Sequence, residues 1–508
     1  MAFNIGIDLG TTNSAMAIYD DESDSVEMIE NYNGEYTTPS VVQILEDEVI
    51  VGEDALDQRI RYPDKTLSRT KRYMSDQDKT WEIDGTEYTP RRVAGYILEK
   101  LRDDAENRHD KTVDGAVITV PYYFGTGART ATENAGETHA DLNVYRTMNE
   151  PTAACYAYGY EGGEEETLLV YDLGGGTFDA TVVEVTEDGL EVQTSHGDDE
   201  LGGENFDDKI YEHVRENLIQ DGAEDPDNDR HNKVELRGKV KDAKELLSNT
   251  EDAAVTYKSN GFHEVEITQD EFHNLTSNLV DRTIEIIDTM FDESDYDADS
   301  IDNVLLVGGS TRMPHVRQAV QDKFGMEPST DTNPDEIVAK GAALEAALYD
   351  PDAEPGDDEE GLPPVRDVLS HSLGVETHNP DGDNKFDPIL EKDATLPDDE
   401  TKPYTNPDDE ETSLVVRVLQ GEGDYVTDDD VEPLGDFNLE NVPADVKLNV
   451  EFFITESGTL DVSAEAENRD ISDTLTISEG IGLTEKELEE EKEETEDFTS
   501  KALDTRSE

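Results

Sequence analysis

LVYDLGGGTFD, residues 169–179, places three consecutive glycines between Asp172 and Asp179 at the end of an apolar run. Glycine weakens a strand interior, so three in a row mark a turn that something must approach closely. The N-terminus repeats the plan. IGIDLGTTNS (5–14) also runs apolar strand, Asp-Leu-Gly, small residues including Thr, then a second strand, AMAIYD against ATVVEV. The duplication predicts two related lobes, each offering a hairpin turn to one site. Backbone N–H groups of such turns suit phosphate oxygens, and threonine hydroxyls add donors. Asp8 and Asp172, just before the turns, suit a divalent metal held through water, as Mg²⁺ prefers. One such turn is a weak signal. Two in the same Asp–Gly–Thr order outweigh a pair of ordinary glycine hairpins.

Two further stretches extend the argument. NVLLVGGSTRMPHVRQAV (303–320) reads as a buried strand, a Gly-Gly turn and a helix capped near Ser310 or Thr311. Gly308 and Gly309 leave room for a flat ring against backbone, and Arg312 has the planar group to stack on it. ELRGKVKDAKELLSN (235–249) reads as an amphipathic helix, with Leu236, Val240, Ala243 and Leu247 on one face. Lys241, Lys244 and Ser248 lie on another, either as a solvated face or as a hand for ribose and base.

The chain has 508 residues, enough for two or three domains. Its 40 Lys+Arg against 126 Asp+Glu give a formal charge of −86. Such a balance fits either disorder or a folded protein adapted to high salt, where the Debye length falls to ~3 Å at 1 M. The acids are spread between well-formed apolar strands, which selects the folded reading. This surface repels nucleic acid and anionic lipid, so neither is an expected partner. The single cysteine, Cys155, cannot make an internal disulfide and reads as a small buried helix residue. No long apolar run and no basic-then-apolar start is present, so a soluble, cytoplasmic protein is expected.

Residues 1–350 alternate strand and helix patterns, an α/β signature. PDAEPGDDEEGLPP (351–364) is acid-, Pro- and Gly-rich, and the linker is drawn at 351–366. From 367 to 482 the pattern is all-β. In VKLNVEFFITESGTLDVSAEA (446–466), Val446, Leu448, Val450, Phe452 and Ile454 alternate onto one face. ESGT then turns the chain, and Leu460, Val462 and Ala464 return. Residues 483–508 form an acidic tail with almost no apolar face.

Taken together, these motifs resemble the 70-kilodalton heat-shock chaperone (DnaK) family. IGIDLGTTNS, AVITVPYYF, NEPTAACYAYG, YDLGGGTFD, LGGENFD, LLVGGSTRMP, SLGVET and VLQGEG occur in that family's order, and the likeness runs to about residue 483. The resemblance implies an actin-like, two-lobed α/β ATPase domain followed by a β-sandwich peptide-binding domain. It implies that Gly10, Thr11, Thr12 and Asn13 form the first phosphate loop. Gly174, Gly175, Gly176 and Thr177 would form the second, with Gly202 and Gly203 nearby. Asp8 and Asp172 would hold the Mg²⁺ water shell. Lys71, in TLSRTKRYM, matches the catalytic lysine near the γ-phosphate, although alone it reads as a surface lysine. Glu150 matches the water-positioning carboxylate, with Asp179 as the other candidate. Lys241, Lys244, Ser248 and Gly308 to Arg312, including Gly309 and Ser310, match the adenosine pocket. Leu373, Val375, Tyr404, Leu414 and Val416 match positions lining a cleft for extended apolar peptides; each singly reads equally well as sandwich core. Pro121 and Arg129 match a relay from nucleotide to linker. ATP/ADP, Mg²⁺ and K⁺ are the implied cofactors. Unfolded polypeptide segments, a J-domain co-chaperone and a nucleotide exchange factor are the implied partners.

The sequence also departs from the family. In EEGLPPVRDVLSHS (359–372) two prolines interrupt what is usually a run of leucines, so docking is expected to be weaker or differently built. The resemblance implies a helical lid of roughly a hundred residues after the sandwich, and with only the acidic 483–508 in its place a lidless member is expected. Gly125 and Thr126, in YFGTGAR, replace an Asn-Asp pair in the loop that meets J-domains. Lys241 stands where a Glu is usual, and His378 where an apolar arch residue is usual. The function expected is an ATP-dependent chaperone with slow, Mg²⁺-dependent hydrolysis. The alternative is a nucleotide-switched scaffold for one dedicated partner, and the sandwich argues against a metabolite kinase.

Overall fold

The structure, a computed structural model, describes residues 2–476 apart from 21–22, 24, 47, 77, 163–164, 187–188, 330–332, 350–364, 380–381, 406–411, 429, 444–445 and 467–470. Two mixed sheets organise the first 350 residues. In the first, Val144–Asn149, Val113–Val120, Phe3–Asp8, Asn13–Asp20 and Ser25–Met28 lie side by side, with Thr37–Pro39 added to Asn13–Asp20. In the second the order is Asn303–Val307, Glu166–Leu173, Phe178–Thr186, Gly189–Asp198 and Val365–Arg366. The duplication in the sequence is a duplication of pairing. Phe3–Asp8 is parallel to Val113–Val120 and antiparallel to Asn13–Asp20. Glu166–Leu173 is likewise parallel to Asn303–Val307 and antiparallel to Phe178–Thr186. Strands such as VDGAVITV and ETLLVYDL are buried almost continuously, because helices cover both faces of these sheets.

Two small-residue helices join the sheets. Glu150–Gly162 and Ile337–Ala347 touch almost backbone to backbone, since a Cβ on Gly341 would come 1.8 Å from the Ala153 carbonyl oxygen. The helix Arg230–Leu247 buries Leu236, Val240, Ala243 and Leu247 against the second sheet's core. One expectation fails locally. The helix after the Gly-Gly turn runs from Pro314 to Phe324 and is preceded by Met313, not capped by Ser310 or Thr311. Those two side chains are engaged earlier, Ser310 Oγ donating to the Gly174 carbonyl at 2.9 Å and Thr311 Oγ1 to the Gly308 carbonyl at 2.7 Å.

Beyond residue 367 two four-stranded sheets face each other. One is Lys385–Leu390, Leu373–Thr377, Thr412–Gly421 and Val431–Val442; the other is Asp398–Thr405, Lys447–Ile454, Leu460–Ala466 and Ser472–Thr476. Lys447–Ile454 alternates exposed and buried at every residue. Its Phe452 and Ile454 are fully buried and face Val462 and Leu460 across the ladder. Each such side chain stabilises the sandwich by ~1.5–3 kcal/mol.

Val365 and Arg366 are not free spacer: they add a parallel strand to the second sheet, with Val365 opposite Leu190 and Arg366 opposite Glu191. Residues 351–364 and the tail 483–508 lie outside the described residues. A polar anchor follows the strand Val365–Arg366 directly. Asp367, fully buried, takes the backbone N–H of Asn149 at 3.0 Å, its Nδ2 at 3.0 Å, the Thr152 hydroxyl at 2.5 Å and Arg146 Nη2 at 3.4 Å. Among the described residues no helix is long and apolar enough to cross a membrane.

Candidate functional site

The two glycine turns meet. A Cβ on Gly175 would stand 2.0 Å from Thr12 Oγ1, so only glycine permits the second turn to approach the first this closely. Gly308, at φ +82°, holds the third turn against the second, its hypothetical Cβ 2.5 Å from the Leu173 carbonyl oxygen and 2.8 Å from Asp172 Oδ1. Between the lobes lies a cleft of about 750 Å³. It is lined by Asp8, Gly10, Thr11, Thr12, Asn13, Pro121, Glu150, Asp172, Gly174, Gly175, Thr177 and Gly203. At its other end stand Lys241, Lys244, Ser248, Gly308, Gly309, Ser310 and Arg312. Of the residues singled out in the sequence for this site, Lys71, Gly176, Asp179 and Gly202 are not in the lining. They stand directly behind it. Lys71 Nζ is 2.6 Å from Glu150 Oε1, and a Cβ on Gly202 would come 2.4 Å from the Gly176 carbonyl carbon.

The electrostatics of this centre are lopsided. Asp8, Glu150, Asp172 and Asp179 share one ammonium, that of Lys71. Burial pushes Asp8 up to about 7, with repulsion from Glu150 adding to it and Lys71 opposing. Burial, then Glu150, also pushes Asp172 and Asp179 far above the usual carboxylate range. Such a group is stable only with protons or an added cation. The buried Thr12 hydroxyl and Asp179 Oδ1 have no hydrogen-bond partner within the protein. An excess of hard oxygen donors with unmet capacity fits Mg²⁺. Among the described residues no three His, Cys, Asp or Glu side chains converge as a direct metal cage; an ion held through water needs none.

At the far end, Lys244 donates to the Gly203 carbonyl at 2.8 Å and pairs with Asp207 at 2.8 Å, so it is a fixed wall. Lys241 faces the cleft with only a loose Glu245 partner at 3.7 Å. Arg312 is held by Asp335 and Asn333, each at 2.7 Å. Sequence reasoning missed the groups that tie the lobes across the mouth. Glu204 pairs with Arg69 at 2.5 Å and Arg72 at 3.3 Å. Arg69 sits at φ +64° to open the short helical turn Thr70–Tyr73 that carries Lys71. The signal available was thin: Glu204 falls inside LGGENFD and Arg72 beside Lys71, but a charged residue next to a motif declares no partner.

In the sandwich, Leu373 and Val375 are buried in the core, while Tyr404, Leu414 and Val416 pack partly exposed against it. Tyr404 comes from the opposite sheet and donates to Asp387 at 2.7 Å. Arg129 is buried, its Nε donating to the Phe124 carbonyl at 2.9 Å. Cys155 is buried, and burial pushes its thiol up, away from reactivity.

Two glycine turns closing on an acidic centre between two lobes define a nucleoside-phosphate-binding protein with a β-sandwich appended. The family model described as Hsp70 protein matches residues 4–508. The proteins named Chaperone protein DnaK from two strains of Halobacterium salinarum, R1 and NRC-1, are each 36% identical over 503 residues, covering 97% of this chain and 77% of theirs. The chain belongs to the Hsp70 family. It is an ATP-using molecular chaperone and an ATPase, with ATP/ADP and Mg²⁺ as cofactors, and its acid-rich composition accords with salt-loving relatives.

Proposed function

We propose that residues 1–350 form an actin-like ATPase domain and that 367–482 form a sandwich that captures extended apolar peptide segments, with 351–366 coupling the two and 483–508 a tail. The observation that carries this reading is the meeting of the glycine turns at the acidic cleft. Gly10 to Asn13 and Gly174 to Thr177 would cradle the β- and γ-phosphates through backbone N–H groups. Asp8 and Asp172 would hold the metal's water shell; when bound, Mg²⁺ neutralises phosphate charge. Lys71, oriented by Glu150, would offset charge that develops on the transferred phosphoryl group. Glu150 or Asp179 would orient the attacking water. Lys241, Lys244, Ser248 and Gly308 to Arg312 would hold the nucleoside. K⁺ fits as a second cation, given four carboxylates around one ammonium.

ATP would hold the domains docked, as they stand here, through Val365–Arg366, Asp367 and the Pro121–Arg129 segment; hydrolysis would let them part. Leu373, Val375, Tyr404, Leu414 and Val416 would then line the peptide cleft, with main-chain pairing giving affinity and pockets giving choice. A J-domain protein and an exchange factor are the expected co-chaperones, the former meeting a loop altered at Gly125 and Thr126. The test is steady-state ATP hydrolysis in multimolar KCl with Mg²⁺, with and without an extended apolar peptide. Slow turnover that peptide raises and Thr177→Ala lowers is expected. Turnover indifferent to peptide refutes the coupling, and absence of ATP binding refutes the reading of the cleft.

A further inference from the structure

The sandwich presses one hairpin turn into the first lobe. In Thr455–Thr459 the Gly458 N–H closes onto the Thr455 carbonyl at 3.0 Å. The Ser457 carbonyl accepts from Thr147 Oγ1 at 3.0 Å. Gly458, at φ +81°, lies against Arg129 so tightly that a Cβ would come 2.7 Å from its Cδ. One turn beyond Arg129, on the helix Thr126–Asn134, is Glu133, whose carboxylate takes the hydroxyls of Ser457 and Thr459. The contact therefore lays a turn of the sandwich over a half-buried acid.

The surrounding charges do not balance it. From its own segment Glu133 faces Arg129 and Glu137. From the turn it faces only the two hydroxyls. The neighbouring cation, Arg146, is already taken by Glu345 at 3.0 Å, Asp367 at 3.4 Å and Glu456 at 3.8 Å. Arg129 spends its Nε on the Phe124 carbonyl and one Nη on Asn149, and its other Nη is buried without a hydrogen-bond partner, so one guanidinium only partly offsets Glu133 and Glu137. Further along the interface Asp393 accepts from the Tyr122 hydroxyl at 2.6 Å.

We propose that docking of the sandwich turn on Glu133 takes up a proton, so that the closed arrangement of the two domains is favoured as pH falls below neutral. The proposal rests on the ATP-held docking described above. Burial first, then repulsion from Glu137, pushes Glu133 up to about 7, and Arg129 with the two hydroxyls only partly opposes this. Exposed to water after undocking, the same side chain returns to the ordinary range near 4.5. The group is raised in the docked state. Its contribution is therefore complete below the undocked value and is lost as pH rises through the docked one. Between pH 8 and pH 6 the docking equilibrium constant should rise roughly tenfold. Asp393 and Glu345 shift in the same direction, burial leading in both, with the Tyr122 hydroxyl and Arg146 respectively opposing.

The experiment uses the full chain carrying one dye on each domain, in multimolar KCl with Mg²⁺ and ATP or ADP, from pH 6 to 8.5. Energy transfer reads the docked fraction. Glu133→Gln carries the neutral form permanently. The native chain should show the roughly tenfold slope and the variant should dock at every pH with most of that slope gone. A flat native profile overturns the proposal, as does a variant that keeps the full slope. Calorimetry of ATP addition in two buffers of different ionisation heat should find less proton uptake at pH 7 in the variant; equal uptake overturns it. Failure of ATP to change energy transfer at any pH overturns the docking cycle itself, a result distinct from docking without a slope.

Discussion

Removing the carboxylate of Asp367 should undock the domains while leaving each intact. The side chain is wholly buried and accepts from Asn149 twice, from Thr152 and from Arg146. In Asp367→Ala these donors lose their acceptor, and Arg146 keeps Glu345 at 3.0 Å as its remaining buried counter-charge. Breaking one partner of a buried pair costs ~3–5 kcal/mol. The two-residue strand Val365–Arg366 cannot offset this, since a few backbone bonds contribute ~1 kcal/mol each. The docked state should weaken by about 10²- to 10⁴-fold. The lone cysteine, Cys155, is buried, so two introduced surface cysteines take dyes selectively. The assay is energy transfer at saturating ATP. Native chain should transfer strongly with ATP; Asp367→Ala should transfer as weakly with ATP as with ADP. Its basal hydrolysis should remain, because Asp367 lies outside the cleft lining. If the variant docks within threefold of the native chain, the anchor reasoning is wrong.

Gly175→Ala should lower ATP affinity more than tenfold by calorimetry, because its Cβ would meet Thr12 Oγ1 at 2.0 Å. Thr12→Ala added to it should restore part of the loss, since the next atom, Thr12 Cβ, stands at 3.0 Å; no rescue would mean the two turns do not need this approach. His315 predicts acid sensitivity of the second lobe. It is buried against Phe272 and stacked on His273 with ring centroids 5.1 Å apart; burial first, then His273, lowers it to about 4. A histidine depressed on folding stabilises above its ordinary pKa, and that contribution is lost as pH falls towards the folded value. At pH 5 the loss is about 2 kcal/mol, so His315→Gln should lose correspondingly less stability between pH 7.5 and 5 in denaturant titrations.

The legible parts of this molecule were those written in local pattern. The duplicated Asp–Gly–Thr turns announced paired lobes because a strand-turn-strand unit is contiguous in sequence. The alternation from Leu448 to Ile454 announced the sandwich because side chains alternate faces with period two. What stayed hidden depends on distant partners. Asp367 reads as one more acid at the start of the all-β region, and nothing nearby in sequence tells of Arg146, Asn149 and Thr152, which lie more than 200 positions away. Ser310 was misplaced as a helix cap for the same reason: its acceptor, the Gly174 carbonyl, belongs to another turn. Glu204 sits inside LGGENFD with no sign of its partners, because Arg69 and Arg72 reach it from the other lobe.

The same imbalance recurs at both working places of the chain. In the cleft, four carboxylates share Lys71; at the domain interface, Glu133, Glu345, Asp367 and Glu456 share Arg129 and Arg146. An acid on the surface of a salt-adapted protein is screened over a few ångströms, but one carried into an interior is not. It must meet a donor, a cation or a proton. The cleft can take a metal and the interface has only hydroxyls and protons to take. In a chain this acidic, closing one domain over another is therefore a charge-neutralising event, and its equilibrium has to depend on whatever supplies the positive charge.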